Sequence, residues 1–132
     1  MVLVPLYVMI LPWINIDISN KKGKGVFTSK AIPAHTVIEI SPVIVLSAKE
    51  RKLIEQTRLY KYVFEWGERK KQRCIALGYI SMYNHSYEAN CEYEMDYQTE
   101  LMTIRSVKEI AKGEELSTNY NGVWNDRTPI VF

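Results

Sequence analysis

The chain has 132 residues, 47% hydrophobic and 24% charged. That composition argues for one folded domain and excludes wholesale disorder or a separate cofactor domain beside the core. Seventeen Lys and Arg against fifteen Asp and Glu leave +2, too weak a bias to point to nucleic-acid binding through bulk charge. Cys74 and Cys91 are far apart and outside any C-x-x-C, so no disulfide framework or zinc cluster follows and a reducing compartment is the default.

Residues 1–14, MVLVPLYVMILPWI, are almost wholly apolar. They lack the basic n-region and small-residue cleavage site of a signal peptide. They also fall short of the roughly 20 apolar residues a spanning helix needs, and Pro5 and Pro12 interrupt them. The segment reads as packed, for instance as an added strand, with a partner-binding arm as the alternative. Residues 13–19 alternate apolar and polar and predict a strand. A glycine turn, Lys22-Gly23-Lys24-Gly25, leads into a short apolar strand over 26–29. After a turn at 31–34, the β-branched run 36–46 reads as strand, broken at Ser41-Pro42.

Ser47-Ala48-Lys49-Glu50 has capping-box spacing and opens a predicted helix over 48–61. Leu53, Ile54, Thr57 and Tyr60 would lie near one stripe of it. Short strand-like runs follow at 62–64, 73–77, 91–97, 101–107 and 116–120, with Lys112-Gly113-Glu114 as a turn. The expected fold class is mostly β with one or two short helices.

Three segments could carry chemistry. Gly23-Lys24-Gly25 would let backbone approach a ligand closely, or simply close a hairpin. Asn84-His85-Ser86, followed by Asn90-Cys91, can fix a loop through side chain to backbone hydrogen bonds. His85 is open to three readings: base, metal ligand or loop anchor, the last favoured. A Cys/His nucleophilic pair has no supporting motif. The third segment, residues 113–120, ends in Tyr120. Glu88, Glu92, Glu94, Asp96 and Glu100 lie in a stretch without Lys or Arg. They form either a solvated strand face or an acidic rim for a basic peptide.

In this order the three segments resemble the SET domain of protein-lysine methyltransferases. Gly23-Lys24-Gly25-Val26-Phe27 matches its G-x-G and following apolar-aromatic pair. Asn84-His85-Ser86 with Asn90 matches N-H-S-x-x-x-N, and Gly113-Glu114-Glu115-Leu116 with Tyr120 matches G-E-E-L-x-x-x-Y. The likeness runs over 15–121, leaving 1–14 as an apolar N-terminal segment and 122–132 as a C-terminal segment covering the site.

The resemblance implies a β-clip fold of small sheets with a C-terminal pseudoknot. It implies S-adenosylmethionine as cofactor, S-adenosylhomocysteine as product, and no metal. The cofactor would be held by Gly23, Lys24, Gly25, Val26, Tyr83, Asn84, His85, Tyr120 and Trp124. Tyr120 and Tyr93 would be catalytic, with Thr118 beside them in the lysine channel. Tyr93 leans towards monomethylation, whereas the small Thr118 leaves space for more methyl groups.

Tyr87 and Ala89 stand where many relatives have Cys and Pro, and no Cys follows Cys91. The relatives' zinc device is therefore absent as a whole. The implied partner is a basic protein or peptide with a target lysine: a histone, histone-like or ribosomal protein. No direct nucleic acid or membrane contact is expected, and a homodimer is one way to complete the substrate groove. The implied location is cytoplasmic, nucleoid or chromatin-associated. The alternative is a catalytically weak SET-fold module that binds peptides.

Overall fold

The computed structural model of the chain describes residues 8–19 and 23–130. Residues 1–7 of the apolar N-terminal segment, Lys22 of the expected glycine turn and residues 131–132 of the C-terminal segment lie outside them. Among the described residues ten strands form two sheets.

The larger sheet is organised by β4 (Val37–Leu46). Its first part pairs with β1 (Met9–Ile10) on one side and β9 (Leu101–Ser106) on the other. Its last part, Val43 to Leu46, pairs instead with β6 (Gln72–Ala76). The edges are β5 (Val63–Trp66), against β6, and β8 (Cys91–Asp96), against β9. Every pairing in this sheet is antiparallel. The expected break at Ser41-Pro42 does not occur. Proline lacks a backbone N–H, and here it sits where β4 passes from β9 to β6, so the missing donor interrupts neither ladder.

The smaller sheet runs β2 (Ile14–Ser19), β3 (Gly23–Thr28), β10 (Glu115–Thr118), β7 (Asn84–His85). Gly23 and Gly25 pair with Ser19 and Asp17, so they belong to a strand rather than to the expected turn. β10 lies between β3, to which it is antiparallel, and β7, to which it is parallel. β10 is thus inserted beside a strand formed some thirty residues earlier.

Ser47 and Glu50 form the expected capping box: the serine hydroxyl accepts from the Glu50 N–H, and the glutamate accepts from the Ser47 N–H. The helix is shorter than expected. α1 (Ala48–Glu55) stops just before Thr57, whose hydroxyl donates to the Ile54 carbonyl and accepts from the Leu59 N–H. A side chain that satisfies the backbone locally competes with helix continuation. A 3₁₀ helix, Arg58–Tyr62, follows. The expected apolar stripe packs poorly, since Leu53 is 57% exposed and α1 buries no residue.

Stability therefore comes from the sheets. Val26, Ile38, Met102, Ile104 and Leu116 are fully buried, each side chain worth about 1.5–3 kcal/mol by removal from water.

Candidate functional site

β7 and β10 bring two of the singled-out segments into direct contact. Nδ1 of His85 accepts the Tyr120 backbone N–H at 3.0 Å, so this nitrogen is an unprotonated acceptor. The ring meets Tyr87 edge-on at 4.4 Å and Tyr120 at 5.1 Å. Of the three readings left open for His85, the observed contacts are those of a loop anchor.

The Gly23-Lys24-Gly25 segment joins through the side chain of Asn84. Its amide donates to the Lys24 carbonyl at 3.1 Å and to the Glu115 carboxylate at 2.7 Å. A Cβ at Gly25 would overlap that Glu115 oxygen and come within 2.9 Å of Asn84 Nδ2. A larger residue at 25 would displace these two side chains from their hydrogen bonds.

Tyr120 stands between two cavities and lines both. Its hydroxyl donates to the Tyr83 carbonyl at 2.9 Å. Burial, and then neighbouring Tyr62, push its phenol above the usual tyrosine range. The first cavity, about 620 Å³, is lined by Phe64, Glu65, Tyr93, Met95 and Tyr97 among others. Burial raises the Tyr93 phenol to about 12, with Glu65, Tyr120 and Cys74 adding to the rise. Both phenols are therefore neutral hydroxyls near neutral pH.

The second cavity, about 860 Å³, is lined by Lys24, Tyr60, Met82, Asn84 and His85 among others. It falls within the size range of small-molecule sites. An ammonium and an amide accompany phenol faces and a thioether. That donor set fits a ligand with a carboxylate at one end and a flat ring at the other, as S-adenosylmethionine has. Lys61, Tyr62, Ser81 and Ile130 line both cavities with Tyr120.

The expected site residues divide accordingly. Lys24, Asn84 and His85 line the second cavity, Tyr83 and Tyr93 the first. Val26 is fully buried in the core and Thr118 nearly so; neither lines a cavity. Gly23 and Gly25 contribute as strand backbone. Trp124 lies off both cavities, with Lys108 Nζ 5.9 Å from its ring centroid. The C-terminal segment reaches the cavities instead through Gly122, Val123 and Ile130.

Sequence reasoning missed Tyr62, Phe64, Glu65, Ser81 and Met82. The aromatic density of 60–64 is the one local signal for Tyr62 and Phe64, and nothing local marks Ser81 or Met82.

The acidic run on β8 also divides by face. Tyr93 and Met95 pack against the core and line the first cavity, whereas Glu92 and Glu94 alternate to the other side. Glu94 meets Arg105 at 3.3 Å, and Glu88 pairs with Arg127. Glu65 is the one acid lining the first cavity among the described residues.

Burial pushes both thiols up, Cys74 to about 12 and Cys91 further, so neither is a nucleophile near neutral pH. Among the described residues no group of three or more His, Cys, Asp or Glu could hold a metal ion. No described helix is long and apolar enough to cross a membrane.

The model of the SET domain family matches residues 23–121. A Schizosaccharomyces pombe protein, histone-lysine N-methyltransferase, H3 lysine-37 specific, is 38% identical over 103 residues, 77% of this chain and 69% of the relative. A crystal structure of a Plasmodium falciparum protein, provisionally assigned as a histone methyltransferase, superposes with a TM-score of 0.66 at 28% identity. The match covers 87% of this chain and 98% of that one.

Proposed function

The chain belongs to the SET-domain family as a protein-lysine methyltransferase, and from that premise we propose that it methylates a lysine of a histone or similarly basic protein with S-adenosylmethionine as donor. The observation that carries this reading is that Tyr120 lines both cavities. Two ligands entering from different sides can meet only where the cavities meet. A chromatin-associated location follows from that substrate class.

Lys24, Asn84, His85 and the Tyr60 and Tyr62 rings would hold the donor in the second cavity. When bound, S-adenosylmethionine supplies a methyl group on a sulfonium centre, an electrophile that needs alignment more than acid catalysis.

The rest is work for the chain's own residues. Phe64, Tyr93 and Met95 give the first cavity an apolar wall beside its polar and charged residues. A lysine entering it loses hydration, which favours the neutral amine. The Tyr120 hydroxyl spends its proton on the Tyr83 carbonyl. The same phenol oxygen would accept an amine N–H and so turn the nitrogen lone pair towards the donor. Neutral hydroxyls and carbonyls around that point favour the positive charge as it passes to nitrogen. Tyr93 is a second hydroxyl on the substrate side, and we assign to it a restriction of methyl number.

The test is transfer of labelled methyl from S-adenosylmethionine to lysine in a panel of basic proteins, histones among them. Labelled lysine in wild type and at least about a hundredfold less with Tyr120→Phe is expected. Donor binding without any labelled lysine across the panel would overturn the reading in favour of a peptide-binding module.

A further inference from the structure

Glu39 has no exposed surface at all, although an ionised carboxylate is among the costliest groups to bury. It lies in a stretch of β4, Ile38 to Ser41, that is buried on both faces of the strand, just after the register against β9 shifts between Val37 and Glu39.

Three donors meet the carboxylate. The Ser41 hydroxyl and the Tyr79 N–H reach Oε2 at 2.7 and 2.8 Å, and the Tyr83 hydroxyl reaches Oε1 at 3.2 Å. The backbone before Tyr79 closes over it so tightly that a Cβ at Gly78 would overlap both Glu39 Oε2 and Ser41 Oγ.

Two of these donors are the residues flanking one short element. Tyr79 precedes and Tyr83 follows the 3₁₀ turn Ile80–Met82. Within the turn Ser81 lines both cavities and Met82 the second. Tyr83, 1% exposed, offers its carbonyl to the Tyr120 hydroxyl at 2.9 Å. Glu39 is itself absent from the lining of either cavity.

We propose that Glu39 is a positioning residue: it clamps both ends of the 80–82 turn and, through the Tyr83 hydroxyl, fixes the carbonyl that orients Tyr120. Its kinetic part rests on the methyltransferase reading above, and its structural part does not. Substrate and donor never touch Glu39, so its loss acts on the turnover step rather than on binding.

Two variants separate this from ordinary support of the fold. Tyr83→Phe removes only the hydroxyl that faces Glu39. Glu39→Gln keeps the shape but turns one acceptor into a donor, so the Tyr83 hydroxyl loses its acceptor or the Tyr79 N–H does. Each should lower kcat by about tenfold while KM for peptide and donor stays within about twofold, as expected when a catalytic hydroxyl is misoriented. The double variant should cost no more than the worse single one, because both break one link. In a Tyr120→Phe background neither should lower kcat further.

A readout independent of activity is the titration of the Tyr120 phenol, followed by NMR of ring-labelled tyrosine. A looser bond to the Tyr83 carbonyl stabilises the neutral phenol less, so the Tyr120 titration should move to lower pH in both variants. If Glu39→Gln does not fold, Tyr83→Phe, which deletes one oxygen, carries the test alone. Wild-type kcat in Tyr83→Phe with an unmoved Tyr120 titration would overturn the proposal. If wild type transfers no methyl group, the functional reading falls, and the titration still decides the clamp.

Discussion

The Asn90 side chain pairs with the backbone of Ser117 as if it were a neighbouring strand. Its Oδ1 accepts the Ser117 N–H at 2.9 Å, and its Nδ2 donates to the adjacent Glu115 carbonyl, also at 2.9 Å. One amide thus occupies a donor and an acceptor of β10 and ties it to the loop after β7. Replacing it with alanine leaves two buried backbone groups without partners, each costing about 1–3 kcal/mol. Asn90→Ala should lower unfolding free energy by about that amount in urea denaturation. It should also reduce methyl transfer, because β10 leads directly into Tyr120. Unchanged stability would mean that β3 and β7 alone hold the inserted strand.

The Tyr120 hydroxyl should matter more to rate than to fold. Tyr120→Phe deletes one donor to the Tyr83 carbonyl and keeps the ring against His85. We expect a fall in kcat of about a hundredfold or more, with the melting temperature nearly unchanged. Donor affinity, measured by calorimetry, should stay within a few-fold. Loss of donor binding instead would assign the hydroxyl to cofactor retention.

Charge recognition should follow Glu65 rather than β8. Glu65 lines the first cavity, while Glu92 and Glu94 lie on the far face of their strand. Glu65→Gln should raise KM for a basic peptide several-fold, within the roughly 0.2–1 kcal/mol an exposed charge pair is worth. Glu92→Gln and Glu94→Gln should leave KM near wild type. The reverse ranking would restore the acidic rim first read from the sequence.

Stability should carry a pH signature from Glu39. Burial raises its carboxyl above the ordinary range, and hydrogen bonds from Ser41, Tyr79 and Tyr83 only partly oppose the rise. The folded state therefore holds a proton that the unfolded chain has released, in the window just above the ordinary glutamate value of 4.5. Through that window stability falls as pH rises, because the unfolded state binds fewer protons. Glutamine does not titrate, so the stability difference between wild type and Glu39→Gln should grow in favour of wild type as pH falls from neutral towards 4.5. A flat difference across that range would mean that Glu39 titrates normally.

Local sequence rules read the strands well, because each depends on neighbours a few residues away. The alternation at 13–19, the β-branched run at 36–46 and the Ser47/Glu50 cap all correspond to observed elements. The misreadings share a cause. Local rules make Pro42 a break and the glycines at 23 and 25 a turn. Proline can lie within a strand that is changing partners, and glycine within one that is closely approached by side chains. Neither neighbour is close in sequence.

The sequence by itself determined the mostly β character, the motif order that resembles the SET domain, and Tyr120 as the residue to watch. Those follow from residue type and spacing, which a chain carries whether folded or not. Only the tertiary structure decided which face of β8 turns to the cavity, that a carboxylate at 39 is buried, and that Tyr62, Phe64 and Ser81 belong to the site. Period-two alternation separates the two faces of a strand but does not say which is covered. A bulge reverses that assignment for no sequence cost. The bonds that matter most, from His85 and Tyr83 to Tyr120 and from Tyr79 and Tyr83 to Glu39, span 35 residues or more. They exist only once the two sheets have closed.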